Sequence, residues 1–420
     1  MERGATGGGR SVVRALARFG HRTTLVAGLT AALVPAGWAG PAEAAAQGVA
    51  GDLASVEQPP DLGETDLQVY VESTGHTLAG VMLDYWRASG AVFGDPISEP
   101  FAAVNGYYSQ AFERGILQYR PEFLFTVEPI LRPMPLGRVA LAASAGSLRA
   151  DGKRAGGGGN PLAGAWLPNE PGAGLSAEAT GYAVGGAFRE WYERYEGDYY
   201  LGPPLGEATE ERGRTVQWFE GGQLIEEGEG VVLAPLGREM AEGLGIETER
   251  VARNGLPAFS EALFLDAGNP NPLGVSGGSG PKRIEVDLSE QRIWAYQGDV
   301  LVTTSLVTTG LKPNETEQGR FRVRLKYPEQ DMAGFTSATG EVLGSDDGSD
   351  TPVAGAVGSY AVDDVPHVMY VNMDAEALHG AYWRDVFGET GSHGCINLPV
   401  DLAAFLYGWA PLGTQVLVRE

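Results

Sequence analysis

Cysteine is all but missing: the chain has one, Cys395, in 420 residues. A single thiol cannot close an internal disulfide, which excludes a disulfide-stapled scaffold. Cys395 is left as a buried inert thiol, an intermolecular bridge, a metal ligand or a nucleophile. Basic residues are also scarce, 30 Lys and Arg against 54 Asp and Glu, for a net charge of −24. A surface of that sign repels phosphate backbones and argues against nucleic acid as a partner. No stretch reaches the ~20 apolar residues of a membrane-spanning helix.

Glycine and proline are abundant, 62 and 26 residues, which predicts substantial linkers. Length and these breaks suggest several domains. At the N-terminus Arg3, Arg10, Arg14, Arg18 and Arg22 precede an apolar run, Leu25 to Ala36, and Ala42-Glu-Ala44 is an A-x-A cleavage pattern. This predicts a signal peptide over 1–44 and export to the cell envelope. Loss of its five Arg and two Glu would move the charge from −24 to −27.

An internal repeat comes next. Leu78, Val81, Met82, Tyr85 and Trp86 have counterparts in Val184, Ala187, Phe188, Trp191 and Tyr192, spaced for one face of a helix. Turn-like Gly94 to Glu99 and Gly202 to Glu207 follow. Phe112-Glu113 then matches Phe219-Glu220, and Pro135-Leu-Gly-Arg138 matches Pro235-Leu-Gly-Arg238. Two small α+β modules are expected, 65–142 and 176–250, after a linker at 45–64 and separated by a Gly-rich linker at 143–175. Their aromatic stripes read as core, with glycan binding as the competing reading. They resemble aromatic-rich repeats found beside wall enzymes in secreted bacterial proteins.

A Gly/Pro linker at 251–281 leads to residues 282–420, where the period changes to two. Ile284, Val286 and Leu288 alternate with acids, and turns at Ser289-Glu290 and Gly298-Asp299 separate further strands. Phe321 to Leu325, His367 to Val371 and Val416 to Val418 add strands, and Pro399 to Trp409 reads as a helix. A mostly β domain is expected, a sandwich or partly open barrel.

Three of the five histidines, His367, His379 and His393, fall just before Cys395. A cysteine nucleophile needs a base, an orienter for that base and donors for the oxyanion. A neighbouring imidazolium would lower the thiol pKa, two units corresponding to ~2.7 kcal/mol. Gly394 would let its own amide and that of Cys395 converge on one point. His379-Gly380, then Ser392-His393-Gly394-Cys395-Ile396-Asn397, resembles the signature of the L,D-transpeptidase (YkuD-type) catalytic domain.

The resemblance implies a β-rich fold and a thiol that attacks a peptidoglycan stem between its third residue, a diamino acid, and its fourth. A thioester forms, and the amine of a second stem resolves it into a 3→3 cross-link, with no metal or organic cofactor. It implies Cys395 as nucleophile and His379 as proton donor and acceptor. Ser392 would orient an imidazole through its carbonyl, and His393, Gly394 and Cys395 would supply oxyanion amides. Asn397, Tyr370 and Trp383 would contact substrate. The implied partners are stem peptides as donor and acceptor. An L,D-carboxypeptidase using the same thiol, a zinc site of His367, His379 and Cys395, and a non-catalytic wall-binding protein are the alternatives. The Gly-rich segment 334–358 is a lid or a disordered loop.

Overall fold

The computed structural model describes residues 53–60, 67–103, 105–124, 126, 129–144, 181–265, 277–345 and 353–420. The signal-peptide segment, the 143–175 linker (apart from the last turn of a helix at its start) and residues 346–352 of the Gly-rich segment lie outside these.

The region expected as the first repeat begins with a hairpin, β1 (Val69–Val71) and β2 (His76–Leu78), and helix α1 (Gly80–Ala88). A four-stranded meander follows: β3 (Phe101–Ala102), β4 (Tyr108–Ala111), β5 (Ile116–Tyr119) and β6 (Leu131–Pro133), leading to α2 (Leu136–Ser144). The second repeat has α3 (Gly186–Arg194), a short α4 (Gly197–Tyr200), and the meander β7 (Thr209–Glu211), β8 (Arg214–Trp218), β9 (Gln223–Glu227), β10 (Gly230–Leu233), then α5 (Leu236–Leu244). The aromatic stripe of α1 is core: Tyr85 and Trp86 are buried, and Trp86 Nε1 donates to Gly94 O. On α3 only Phe188 is fully buried, and Trp191 and Tyr192 pack partly covered against the same core.

The matching motifs of the two copies recognise each other. The α2 start, Pro135 to Arg138, sits on the Phe219–Gly222 turn: the Arg138 amide donates to Glu220 O (3.2 Å), and its guanidinium meets the Glu220 carboxylate (3.2 Å). Reciprocally, the Arg238 amide donates to Glu113 O (3.0 Å), and its guanidinium meets the Glu113 carboxylate (2.6 Å). Glycine is required at both joints. A Cβ on Gly137 would lie 1.9 Å from Phe219 O, and one on Gly237 2.0 Å from Phe112 O. The two copies are thus a single interlocked unit with a shared core from Ile97, Ile116, Leu136, Val216, Ile225 and Leu236.

The first half of the expected 251–281 linker is packed structure. The Val251 amide donates to Gly75 O, and the Tyr70 and Phe259 amides bond across Pro257 and Tyr70, so this segment extends the β1 hairpin.

The C-terminal domain stacks two five-stranded sheets. One runs β13-β12-β11-β20-β14, from β11 (Lys282–Asp287), β12 (Arg292–Gln297), β13 (Val300–Leu306), β14 (Gly319–Arg322) and β20 (Gln415–Arg419). The other runs β16-β15-β17-β18-β19, from β15 (Leu325–Thr336), β16 (Val342–Ser345), β17 (Gly358–Tyr370), β18 (Ala377–Gly380) and β19 (Ile396–Leu398). Helix α6 (Val400–Trp409) follows Pro399, whose fixed φ of −51° sets the helix entry. Phe321 to Leu325 is not one strand as expected: β14 ends at Arg322, and the chain crosses to the other sheet. Thr308 bridges to Asn397, so the sheets also meet along the edge where β13 leads toward β19.

Ion pairs with buried cations hold the repeat unit against this domain. Arg87 and Lys282 both meet Glu261 at 2.9 Å, and Lys282 also donates to Trp409 O. Arg322 meets Glu196 at 2.5 Å with its guanidinium over the Tyr199 ring, and Gln415 donates to the same carboxylate. No described helix is long and apolar enough to cross a membrane.

Candidate active site around Cys395

Three strands converge here, two of them short. β18 lies between β17 (antiparallel) and β19 (parallel), with His379 opposite Asn397 and Leu378 opposite Ile396. Side chains alternate along strands, so Ala377 and His379 share one face of β18 and Asn397 the matching face of β19. Cys395 immediately precedes β19 and packs with Ala377 and Tyr370. Cys395 stands in the bend that leads into β19, two residues before Asn397, the partner of His379.

His379 is 2% exposed, and its Nδ1 lies 3.0 Å from Gly380 O. A carbonyl accepts, so Nδ1 carries the proton and Nε2 keeps a lone pair. Burial lowers the imidazole to about 4, against the pull of the Gly380 carbonyl. The orienting carbonyl thus belongs to Gly380, not to Ser392 as expected. Burial also pushes the Cys395 thiol up to about 11; the Ala377 amide opposes this, and the Glu376 carboxylate adds to it. Both groups are therefore neutral near pH 7, unlike the imidazolium-activated thiolate the sequence suggested.

Ser392 instead builds the turn. Its hydroxyl donates to Cys395 O (2.5 Å) and accepts from the Gly394 amide (3.3 Å), while its carbonyl accepts from the Leu311 amide. The Gly394 amide, expected at the oxyanion, is thereby turned toward Ser392. Gly394 has φ +116°, a conformation open to glycine, and its carbonyl accepts from Thr316 Oγ1 (2.6 Å). A Cβ there would stand 3.0 Å from Glu376 Oε1.

The other expected residues surround this turn. His393 is exposed and stacks on Tyr360 of β17, with ring centroids 4.7 Å apart and planes at 16°. Tyr370 is buried beside Cys395, its hydroxyl donating to Gln330. Trp383, 42% exposed, stands on the rim with its ring 5.8 Å from that of His379. Asn397 is buried, and its backbone exchanges both hydrogen bonds with Thr308. His367 turns to Tyr407 of α6 (5.6 Å), away from the grouping the zinc alternative needs. Among the described residues no three His, Cys, Asp or Glu side chains are grouped as metal ligands.

Sequence reasoning missed Glu376 and Tyr360. Glu376 accepts from the Glu317 amide and Asn372, and burial raises its carboxyl to about 7. Its place three residues before His379 was the available signal; Tyr360 offered none. The Gly-rich segment is an arm in its described parts, since β15, β16 and β17 pair through it.

Residues 281–418 match the family of the YkuD L,D-transpeptidase catalytic domain. No curated protein matches the chain. Among solved structures, a cysteine-to-serine mutant of the Enterococcus faecium L,D-transpeptidase is 25% identical, with 33% of this chain and 49% of that chain covered, at a TM-score of 0.26. The catalytic domain of the E. faecium enzyme, solved by NMR, is 27% identical over 33% of this chain and 95% of its own, TM-score 0.26. L,D-transpeptidase 3 from Mycobacterium tuberculosis is 18% identical over 33% and 61%, TM-score 0.28. The match thus spans about half of the fuller E. faecium chain. The C-terminal third of this chain, residues 281–418, is a YkuD-type L,D-transpeptidase catalytic domain.

Proposed function

We propose that the protein is an exported peptidoglycan L,D-transpeptidase that forms 3→3 cross-links through a thioester on Cys395. What supports this reading is that His379 pairs with Asn397 of β19, two residues after Cys395, and that Gly380 holds the imidazole in the Nδ1–H form.

Each step follows from the protonation states. His379 Nε2 takes the thiol proton as Sγ attacks the carbonyl carbon between stem residues three and four. The carbonyl oxygen gains the negative charge, and the amides of His393 and Cys395 would be the donors that stabilise it. When the intermediate collapses, the C–N bond breaks and His379 returns the proton to the departing amine. The acceptor amine then attacks the thioester, gives its proton to His379, and the thiolate leaves and is reprotonated. Because both partners start neutral in a partly buried site, no charge is desolvated before attack.

Incubation of the purified protein with donor stem and a second stem as acceptor tests this. The expected products are a thioester adduct on Cys395 by mass spectrometry and a cross-linked dimer. Hydrolysed donor without dimer at any acceptor concentration points to the carboxypeptidase instead; no adduct at all overturns the thiol mechanism.

A further inference from the structure

We propose that Arg384 is a specificity residue that binds a carboxylate of the donor stem, the free C-terminal carboxylate of the departing residue. The proposal rests on the transpeptidase reading above. Arg384 follows Trp383, whose ring faces His379, and is the one Arg or Lys between Ala381 and Cys395. Its guanidinium crosses the loop to Gly391, next to Ser392: Nη2 lies 3.3 Å from Gly391 O, and a Cβ on Gly391 would come within 2.7 Å of it.

Its own bonding is weak. Nε is buried without a hydrogen-bond partner. The nearest carboxylate, Glu389, is 4.0 Å away and 67% exposed. A guanidinium offers five donors in a planar fork, and this one uses little of that capacity. Several other basic groups of the domain are committed elsewhere, while Lys312 is exposed and meets Glu315. Arg320, Arg322 and Arg324 turn to the repeat unit, and Lys282 and Lys326 are buried against carbonyl oxygens. The Glu376 carboxylate acts on Cys395, and the Glu317 amide donates to Glu376. A donor whose scissile bond lies one residue from a free carboxylate brings an anion to this site, and Arg384 is the cation set in the nucleophile's own loop.

The test compares a tetrapeptide stem with the same stem amidated at its C-terminus. Acylation of Cys395 should favour the free acid by about tenfold or more, the range of a charge-assisted hydrogen bond. Arg384→Gln should erase that preference, and Arg384→Lys should keep part of it, while iodoacetamide alkylation of Cys395 stays unchanged. A strut that only shapes the loop would slow both donors and alkylation alike, and an Arg384→Gln enzyme that still prefers the free acid overturns the proposal. Binding of both stems to Cys395→Ala protein by calorimetry separates the two readings. Equal affinity for acid and amide sinks the Arg384 anchor, whereas tighter binding of the acid without adduct formation by the wild type sinks the transpeptidase reading alone.

Discussion

A thiol held up to about 11 and an imidazole held down to about 4 set the expected pH response. The rate should rise as pH passes through about 4, where His379 becomes able to accept a proton, and hold flat through neutrality. A rising limb centred near pH ~7 in kcat/KM would mean the imidazole is not buried as described. Stability shifts with the same group. A base with its folded pKa depressed is fully tolerated above its unfolded value of ~6.5, and the native state loses stability as pH falls from there toward 4. Cys395→Ala should leave no adduct, and His379→Ala should lower turnover by ~10²–10⁴-fold, the usual weight of a general base. The proposed nucleophile and base were legible because each stands in a short local motif, His379-Gly380 and Ser392 to Asn397. The orienting carbonyl was not. It is a main-chain atom, and only the observed ring orientation assigns it to Gly380.

At the scale of the element, glycine sets the geometry. Gly394→Ala would force a Cβ into φ +116° and against Glu376, misplacing the neighbouring thiol. Cys395 acylation should fall at least tenfold with the fold retained by circular dichroism; unchanged acylation would show the turn to be tolerant. Gly137→Ala would press on Phe219 O and should destabilise by ~1–3 kcal/mol in urea unfolding. Strands β11 and β12 were readable because buried and partly exposed side chains alternate along them. β18 and β19, four and three residues long, carry no such period, and their pairing is fixed by tertiary contact alone. The echo of Pro-Leu-Gly-Arg and Phe-Glu was visible in the sequence, yet not its meaning, since each motif meets the other copy's partner about 80 to 125 residues away in the chain.

In the whole molecule, the repeats and the catalytic domain share one apolar core, with Phe188, Phe219, Val286 and Phe405 in the same cluster. Glu196 and Arg322 cross that boundary almost fully buried, so Glu196→Ala strands a guanidinium in the interior and should cost ~3–5 kcal/mol. Limited proteolysis should then cut between the repeat unit and the domain sooner than in the wild type; identical cleavage would show the boundary is held elsewhere. Independent modules on linkers were expected because Gly-rich sequence marks the breaks, while the ion pairs spanning them are dispersed residues with no local signature.

Each repeat carries both a plug, its Pro-Leu-Gly-Arg helix start, and a seat, its Phe-Glu turn. A fragment bearing one copy is therefore complementary to itself. Released from its sibling, it should mate two by two about a dyad, as self-matching surfaces do. The intact chain satisfies the same appetite internally, and that keeps it from associating through this surface.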